Sequence, residues 1–413
     1  MEHLLSDTRI PGDDLLEVAK GLRLGSIRSV RDLAIAGQRV LLRLDLNVPL
    51  SEPDAEGHRA VTDDTRIREA LPTLQHCIEQ GAKVVIASHL GRPDGRKNSE
   101  FSLEPVALHL ADLLKVEITL ADDCTGEGIE LMVQSLKRGQ VMMLENLRFQ
   151  EGEEACDSEF AHRLARLGDV YITDAFGTAH RKHASTYGVP LLMKERGIGF
   201  LIEKELAFLD RLIKEPAKPF YEVLGGSKVS DKIKTVRALL GHVDGLIIGG
   251  AMAHAFWAVQ GHALPAGAKQ PRPQDVEAAR LILAEALRRD VPVVVPTDTL
   301  SGFDIGPKTI ERFTQQLANA RTVFWNGPLG CFEKPEYSKG TFALAESISR
   351  LNAVKVAGGG DTVLAIKQSG TAAGFDHLST GGGAVLEYLE LGALPGIDVL
   401  KVQSRNPQSK ALN

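Results

Sequence analysis

The segment VVIASHLGRPDG, residues 84 to 95, decides how the rest of the chain is read. Its first half is a continuous run of β-formers rather than an alternation, the pattern of a strand covered on both faces. It then ends abruptly in His89, Gly91, Arg92 and Pro93. Open α/β sheets bind ligands just beyond the carboxyl ends of their strands. A buried strand that delivers a histidine and an arginine at that end therefore points to such a sheet and marks one edge of a site.

Similar runs recur on both sides. RVLLRLDL (39 to 46), KVVIASH (83 to 89), VEITLAD (116 to 122), VMMLEN (141 to 146) and VYITDAF (170 to 176) form a first group of five expected strands. FYEVLGG (220 to 226), GLIIGG (245 to 250), VPVVVPTD (291 to 298), TVFWNG (322 to 327) and VKVAGGG (354 to 360) form a second group of five. Helical patterns lie between them. In DDTRIREALPTLQHCIEQG, apolar Ile67, Ala70, Leu71, Leu74 and Ile78 fall on one face, with Gly81 as the stop and Pro72 as an expected kink. Strands alternating with helices predict parallel sheets with right-handed crossovers. The fold class is α/β, doubly wound, and present twice, since 413 residues exceed one ordinary core.

Composition narrows the function. Hydrophobic residues make up 43% and charged residues 25%, as in ordinary soluble proteins. The formal net charge of -6 gives no basis for general nucleic-acid binding, so any anion site must be local. The four cysteines lack CxxC spacing, which predicts neither a zinc site nor a disulfide framework and favours a reducing cytoplasm. No basic and apolar leader opens the chain, and no run approaches the length of a membrane-spanning helix.

Residues at the expected strand ends carry the chemistry. In the first half they are Arg43, Asp45 and Asn47, then His89 and Arg92, then Glu145, Asn146 and Arg148, then Asp174, Thr178, His180 and Arg181. Arg66 opens the helix after the first strand. Arg66, Arg92, Arg148 and Arg181 on one rim of an acidic chain suit a small phosphate or carboxylate ligand, because a guanidinium binds such groups in a bidentate fork. His180 and His183 stand three apart without a third ligand, which is a poor metal site.

The second half ends its strands in glycine. VLGGSKVSDKIKT (223 to 235) reads as strand, glycine turn and helix start, with Lys228 and Lys232 one helical turn apart. Helix N-termini and glycine turns present backbone N–H groups to phosphate. The run Gly358, Gly359, Gly360, Asp361, Thr362 adds an acid that would repel a bare phosphate, so a bridging Mg²⁺ with Asp361 as its oxygen ligand is expected. Neither a Walker A loop nor GxGxxG spacing is present. Guanidinium groups in one half and a nucleotide lobe in the other predict phosphoryl transfer, which needs positioning and charge stabilisation more than an activated nucleophile.

With these residues in view the chain resembles phosphoglycerate kinases. The motifs RVLLRLDLNVP, DDTRI, SHLGRP, LENLRF, DAFGTAHRKHAST, GFLIEKEL, LGGSKVSDKI, WNGPLGCFE, AGGGDT and STGGGA run collinearly from about residue 39 to 384. The resemblance implies reversible phosphoryl transfer between 1,3-bisphosphoglycerate and MgADP, giving 3-phosphoglycerate and MgATP, by in-line transfer after hinge closure. It implies that Asp45, Asn47, Arg66, His89, Arg92, Arg148 and Arg181 hold the glycerate ligand. Arg66 and Lys228 would flank the migrating phosphoryl, helped by the turns at Gly360 and Gly383. Gly226, Lys228, Lys232, Gly249, Gly250, Gly306, Asn326, Pro328, Glu333, Gly359, Gly360, Asp361 and Thr362 would bind the nucleotide.

The same resemblance implies residues 1 to 183 as the 3-phosphoglycerate domain, 184 to 219 as hinge and connecting helix, and 220 to 389 as the nucleotide domain. The tail from 390 to 413 would pack back on the first of these, and the enzyme would be a cytoplasmic monomer. Departures from the family pattern are an N-terminal extension of about 20 residues, a short DTLSGFDIG between Asp298 and Gly306, and Glu222 where an apolar residue is usual. Ala251 and Cys331 replace small or apolar residues. Two other classes fit less well. A two-lobed ligand-binding protein calls for an export signal, and a dinucleotide-dependent dehydrogenase calls for GxGxxG.

Overall fold

The computed structural model describes residues 27 to 265 and 268 to 401. The N-terminal extension and the last part of the tail lie outside the described residues. Contacts divide the chain into two compact units, one built around residues 206 to 392 and the other around residues up to 205 together with those from 393 onward.

In the unit that comes first along the chain, six strands form one sheet. They are β1 (Arg39–Leu44), β2 (Lys83–Ala87), β3 (Ile118–Leu120), β4 (Val141–Met143), β5 (Val170–Asp174) and β6 (Arg196–Ile198), in the spatial order β3-β4-β2-β1-β5-β6. All pairs are parallel, with Leu42 of β1 opposite Ile86 on one side and Ile172 on the other. β1, β2 and β5 are almost wholly buried, as continuous apolar runs require when helices cover both faces. Five strands were expected and six are present. β6 is a three-residue edge strand containing a glycine, too short and too polar to carry a periodic signal.

The second unit repeats the plan with β7 (Phe220–Leu224), β8 (Gly245–Ile248), β9 (Val293–Val294), β12 (Thr322–Asn326), β13 (Val354–Gly358) and β14 (His377–Ser379), again six and again parallel. Their order is β14-β13-β12-β7-β8-β9. Between β9 and β12 a small antiparallel hairpin, β10 (Thr299–Leu300) and β11 (Asp304–Ile305), forms from the short DTLSGFDIG segment. The run at 291 to 298 contributes only two residues to the sheet, because Pro292 and Pro296 have no N–H for a ladder. β14 is another short edge strand that periodicity did not reveal.

The helix Thr65–Glu79 runs through Pro72 without ending there. The helix Phe200–Lys214 is also continuous, and the division between the two units falls within it. Residues 393 to 401 return to the first unit, where the Gly396 N–H donates to the Ala179 carbonyl at 2.8 Å.

Candidate functional site

The end of β1 supplies Asp45, and the first turn of helix 65 to 79 supplies Arg66. One terminal nitrogen of Arg66 lies 3.0 Å from both carboxylate oxygens of Asp45. Asn47 accepts a hydrogen bond from the Gly91 N–H at 2.9 Å, which ties the loop after β1 to the loop after β2. Gly91 itself has φ of +62°, and a Cβ there would lie 2.3 Å from the ring of Phe101. Only glycine can turn the chain at that point. The turn fixes Arg148 as well, because its guanidinium donates to the Gly91 carbonyl at 2.7 Å.

His89 lies beneath this rim, 4% exposed. Its Nδ1 is 3.3 Å from Arg43 and 4.0 Å from Asp45. Burial first, and then the charges of Arg43, Arg148, Arg66 and Arg181, depress its pKa well below the usual imidazole value. His89 is therefore a neutral imidazole at physiological pH, suited to hydrogen bonding rather than to carrying charge. The arginines that act on it converge on one place, so the residues named from strand ends are gathered by the fold. Arg181, whose Nε points at His180 at 3.4 Å, is half-buried, and Arg92 is exposed with no ion pair among the described residues.

A group beneath the rim went unread in the sequence. Arg43 is 1% exposed and donates to the Ser185 hydroxyl at 2.9 Å. Ser185 in turn donates its hydroxyl and its N–H to the buried carboxyl of Glu153, at 2.5 and 2.9 Å. Burial raises the Glu153 carboxyl above its ordinary range, partly offset by Arg43. Arg43 was visible as a strand-end residue, but Glu153 and Ser185 sit in helical segments with no local signal.

In the other unit, a cavity of about 450 Å³ opens at the carboxyl ends of β7, β12 and β13. Gly226, Lys228, Lys232, Gly250, Asn326 and Pro328 line it, and so do Glu333, Gly359, Gly360, Asp361 and Thr362. Lys232 is half-buried and donates to the carbonyls of Gly225 and Asn326 at 2.8 and 2.9 Å. Burial pushes its ammonium down to about 8. Lys228 is more than half exposed and lies 3.9 Å from Asp231. The turn into helix 360 to 368 is held by Asn326, which donates to the Gly358 carbonyl at 2.8 Å, and by Thr362, whose hydroxyl accepts from the Gly327 N–H at 2.7 Å. Gly359 has φ of +94°, the left-handed conformation that turns the chain into the helix with its N–H groups facing the cavity mouth.

Three sequence-derived positions fall elsewhere. Gly306 precedes helix 307 to 317, where a Cβ would strike Asp298, and it does not line the cavity; the hairpin tip residues Gly302 and Phe303 do. Gly249 packs against Leu329 behind the lining, and Gly382 lines the cavity where Gly383 had been named. Ser227, Asp231 and Gly327 also line it and were not singled out, and so do Ala251 and Cys331, noted in the sequence only as departures from the family pattern.

One carboxylate, Asp361, at a helix start and lining this cavity fits Mg²⁺, which is typically held by one or two carboxylates together with substrate phosphates. No cluster of three or more metal-ligating side chains exists among the described residues. The two sites thus offer charge and oriented donors, and neither presents an activated nucleophile.

Comparison with known proteins agrees with this chemistry. The sequence profile described as phosphoglycerate kinase matches residues 30 to 391. The phosphoglycerate kinase of Anaeromyxobacter sp. (strain Fw109-5) is 45% identical over 401 residues, 91% of this chain and 100% of its own length. That of Bdellovibrio bacteriovorus is 43% identical over 411 residues, 94% of this chain and 100% of its own. The solved phosphoglycerate kinase of Coxiella burnetii superposes with a TM-score of 0.80 at 37% identity, covering 91% of this chain and 98% of that one. The Pyrococcus horikoshii enzyme gives 0.78 at 30% identity, covering 90% and 98%.

Proposed function

The chain belongs to the phosphoglycerate kinase family, and from that premise we propose how its own residues carry the family's reaction. That reaction is reversible phosphoryl transfer between 1,3-bisphosphoglycerate and ADP, giving 3-phosphoglycerate and ATP, a step of glycolysis and gluconeogenesis. The observation that carries the assignment of roles is the division of labour between the units. One holds convergent guanidinium groups around a neutral histidine, and the other holds a glycine-turned cavity with two lysines.

In our reading Arg92, Arg148 and Arg181 bind the phosphate and carboxylate of the glycerate ligand, and Asp45 and Asn47 meet its hydroxyl side. His89 hydrogen-bonds the ligand as a neutral imidazole. Arg66, kept in place by Asp45, stands at the carboxyl-phosphate end. The cavity takes the nucleotide, with Lys232, Asn326, Thr362 and the Gly359 turn around its phosphates. Asp361 would hold the Mg²⁺ that arrives with the nucleotide, and that ion would supply charge neutralisation at the phosphates. Lys228, exposed and only loosely paired, follows the migrating phosphoryl.

In the ATP-forming direction ADP attacks an acyl phosphate, and in reverse the acceptor is a carboxylate. Neither nucleophile needs a base, which fits two sites built from donors and cations. Positioning and stabilisation of charge on the equatorial oxygens then account for catalysis. Exclusion of water protects the acyl phosphate, and we assign that to closure about the segment 184 to 219. All four cysteines are free thiols, which supports a cytoplasmic location. Among the described residues no helix is long and apolar enough to cross a membrane. We take the working enzyme to be a monomer.

The test is a coupled assay of MgATP-dependent 3-phosphoglycerate phosphorylation by the purified chain. Robust ATP consumption that requires 3-phosphoglycerate is expected. No consumption at saturating substrates would reject the assignment for this chain.

A further inference from the structure

The unit that holds the guanidinium rim also holds a buried polar chain that the assigned roles leave unused. It begins at Glu153, in the short helix Glu151–Glu154. The two oxygens of its buried carboxyl take the hydroxyl and the backbone N–H of Ser185, at 2.5 and 2.9 Å. Ser185 lies in the single turn Ala184–Gly188, and its carbonyl takes the hydroxyl of buried Tyr171 at 2.7 Å. The hydroxyl, the N–H and the carbonyl of one residue are thus all fixed by distant segments. A serine that served only to fill space would do as well as alanine, so this anchoring calls for a reason.

Ser185 passes the order on to Arg43. The Arg43 Nε–H donates to the Ser185 hydroxyl at 2.9 Å, and one terminal nitrogen donates to the Leu44 carbonyl. The other terminal nitrogen lies 3.3 Å from Nδ1 of His89. A guanidinium has only donors and no acceptor. The Ser185 hydroxyl must therefore accept from Arg43 and give its one hydrogen to Glu153, and His89 must meet Arg43 with the lone pair of Nδ1. A neutral imidazole that accepts at Nδ1 carries its proton on Nε2. Asp45 would favour the opposite tautomer, but it stands 4.0 Å from Nδ1 and both its oxygens take Arg66.

Nε2 of His89 has no hydrogen-bonding partner in the protein among the described residues, yet it is not sealed from solvent. We propose that Glu153 and Ser185 are positioning residues for the guanidinium rim: acting through Arg43, they hold His89 with its Nε2–H as a donor to the anionic ligand. The inference rests on the glycerate reading of this rim and adds the direction of the His89 hydrogen bond. An imidazole free to change tautomer presents an anion with either a donor or a lone pair, and the lone pair repels the ligand's oxygens. Holding Nδ1 as the acceptor removes the repelling form and aims the ring before the ligand arrives.

Ser185 is also a spacer, because its hydroxyl stands between the Arg43 guanidinium and the Glu153 carboxyl. In Ser185→Ala those two groups face one another across a gap, each without its partner. The unmet donor then moves to the unmet acceptor, which draws Arg43 off His89. In Glu153→Gln one amide oxygen has to replace two carboxyl oxygens, so one of the two Ser185 donors loses its acceptor. Either change loosens the same link and leaves every residue assigned to the ligand in place.

The experiment combines NMR of the histidine ring nitrogens in the full-length protein with steady-state kinetics, for wild type, Ser185→Ala and Glu153→Gln. The His89 resonances are identified by their loss in His89→Asn. Wild type at about pH 7.5 should show Nε2 protonated and Nδ1 bare. Both variants should show nitrogen shifts averaged between the two tautomers. Each should raise KM for 3-phosphoglycerate about fivefold, the size of one ordinary hydrogen bond, with kcat and the KM for MgATP within roughly twofold of wild type. A chain that only stabilised the fold would lower the unfolding midpoint and leave tautomer and KM unmoved, and that result overturns the inference. So does a wild-type spectrum with the proton on Nδ1, which decides the matter even where a variant fails to fold. A wild-type protein that does not bind 3-phosphoglycerate in direct titration overturns the glycerate reading of the rim, whereas normal wild-type binding with unmoved variants overturns the role of Glu153 and Ser185 alone.

Discussion

Lys228 and Lys232 lie four residues apart and have opposite environments. Lys232 is half-buried and tied to two carbonyls, while Lys228 is exposed and loosely paired with Asp231. A tethered cation can define a site, and a free one can follow charge that moves. Lys228→Ala should therefore lower kcat by about 100-fold or more with little change in 3-phosphoglycerate affinity, as steady-state kinetics and direct binding would record. Wild-type turnover in that variant would remove Lys228 from the transition state. His89 illustrates the reverse lesson. As a lone strand-end histidine it invites a catalytic reading, but four arginines and burial hold it neutral. Its depressed pKa means that the native state binds fewer protons than the unfolded chain, so this residue costs stability as the pH falls below about 6.5. An NMR titration should show the His89 ring taking up its proton only well below the ordinary imidazole value; protonation near that value would contradict the electrostatic picture.

At the scale of elements, β5 does more than end in a site residue. Asp174, the last residue of β5, accepts from the Thr73 hydroxyl at 2.6 Å and from the Ile202 N–H at 2.9 Å, and Thr73 accepts from the Phe200 N–H at 2.8 Å. One carboxyl thereby joins the helix that carries Arg66 to the first turn of helix 200 to 214. Thr73→Val removes both bonds of the hydroxyl and should cost about 1–3 kcal/mol in denaturant unfolding. Burial pushes Asp174 up to about 7. A carboxyl raised in the native state contributes stability below its unfolded pKa of about 4, and that contribution is lost as the pH rises through the folded value. Asp174→Asn should flatten this part of the pH–stability curve, and an unchanged slope would show that Asp174 does not titrate there. All ten expected strands are present among the described residues, legible because buried parallel strands are continuous apolar runs. The run at 291 to 298 shrank to a two-residue strand around its prolines, and β6 and β14 were missed because three-residue edge strands are defined by their neighbours. The hairpin that brings Phe303 to the cavity was legible only as a shortened segment.

For the whole molecule, the two compact units predict separable ligand responses. Hydrogen–deuterium exchange with 3-phosphoglycerate alone should protect the turns around Asn47, Gly91 and Arg148. MgADP alone should protect those around Gly226 and Gly359. Protection by each ligand in the opposite unit only would reverse our assignment of the sites. The sequence by itself determined the repeated α/β plan, the separation of a guanidinium-rich half from a glycine-rich half, and nearly every residue at the strand ends, because these follow from period, composition and position along the chain. Tertiary structure alone decided what those residues are electrically. Neutrality at His89, the Arg43–Ser185–Glu153 network beneath the rim, and the raised carboxyl of Asp174 depend on desolvation and on groups brought close from distant segments. Those quantities are set by three-dimensional packing, and no local pattern of residues encodes them.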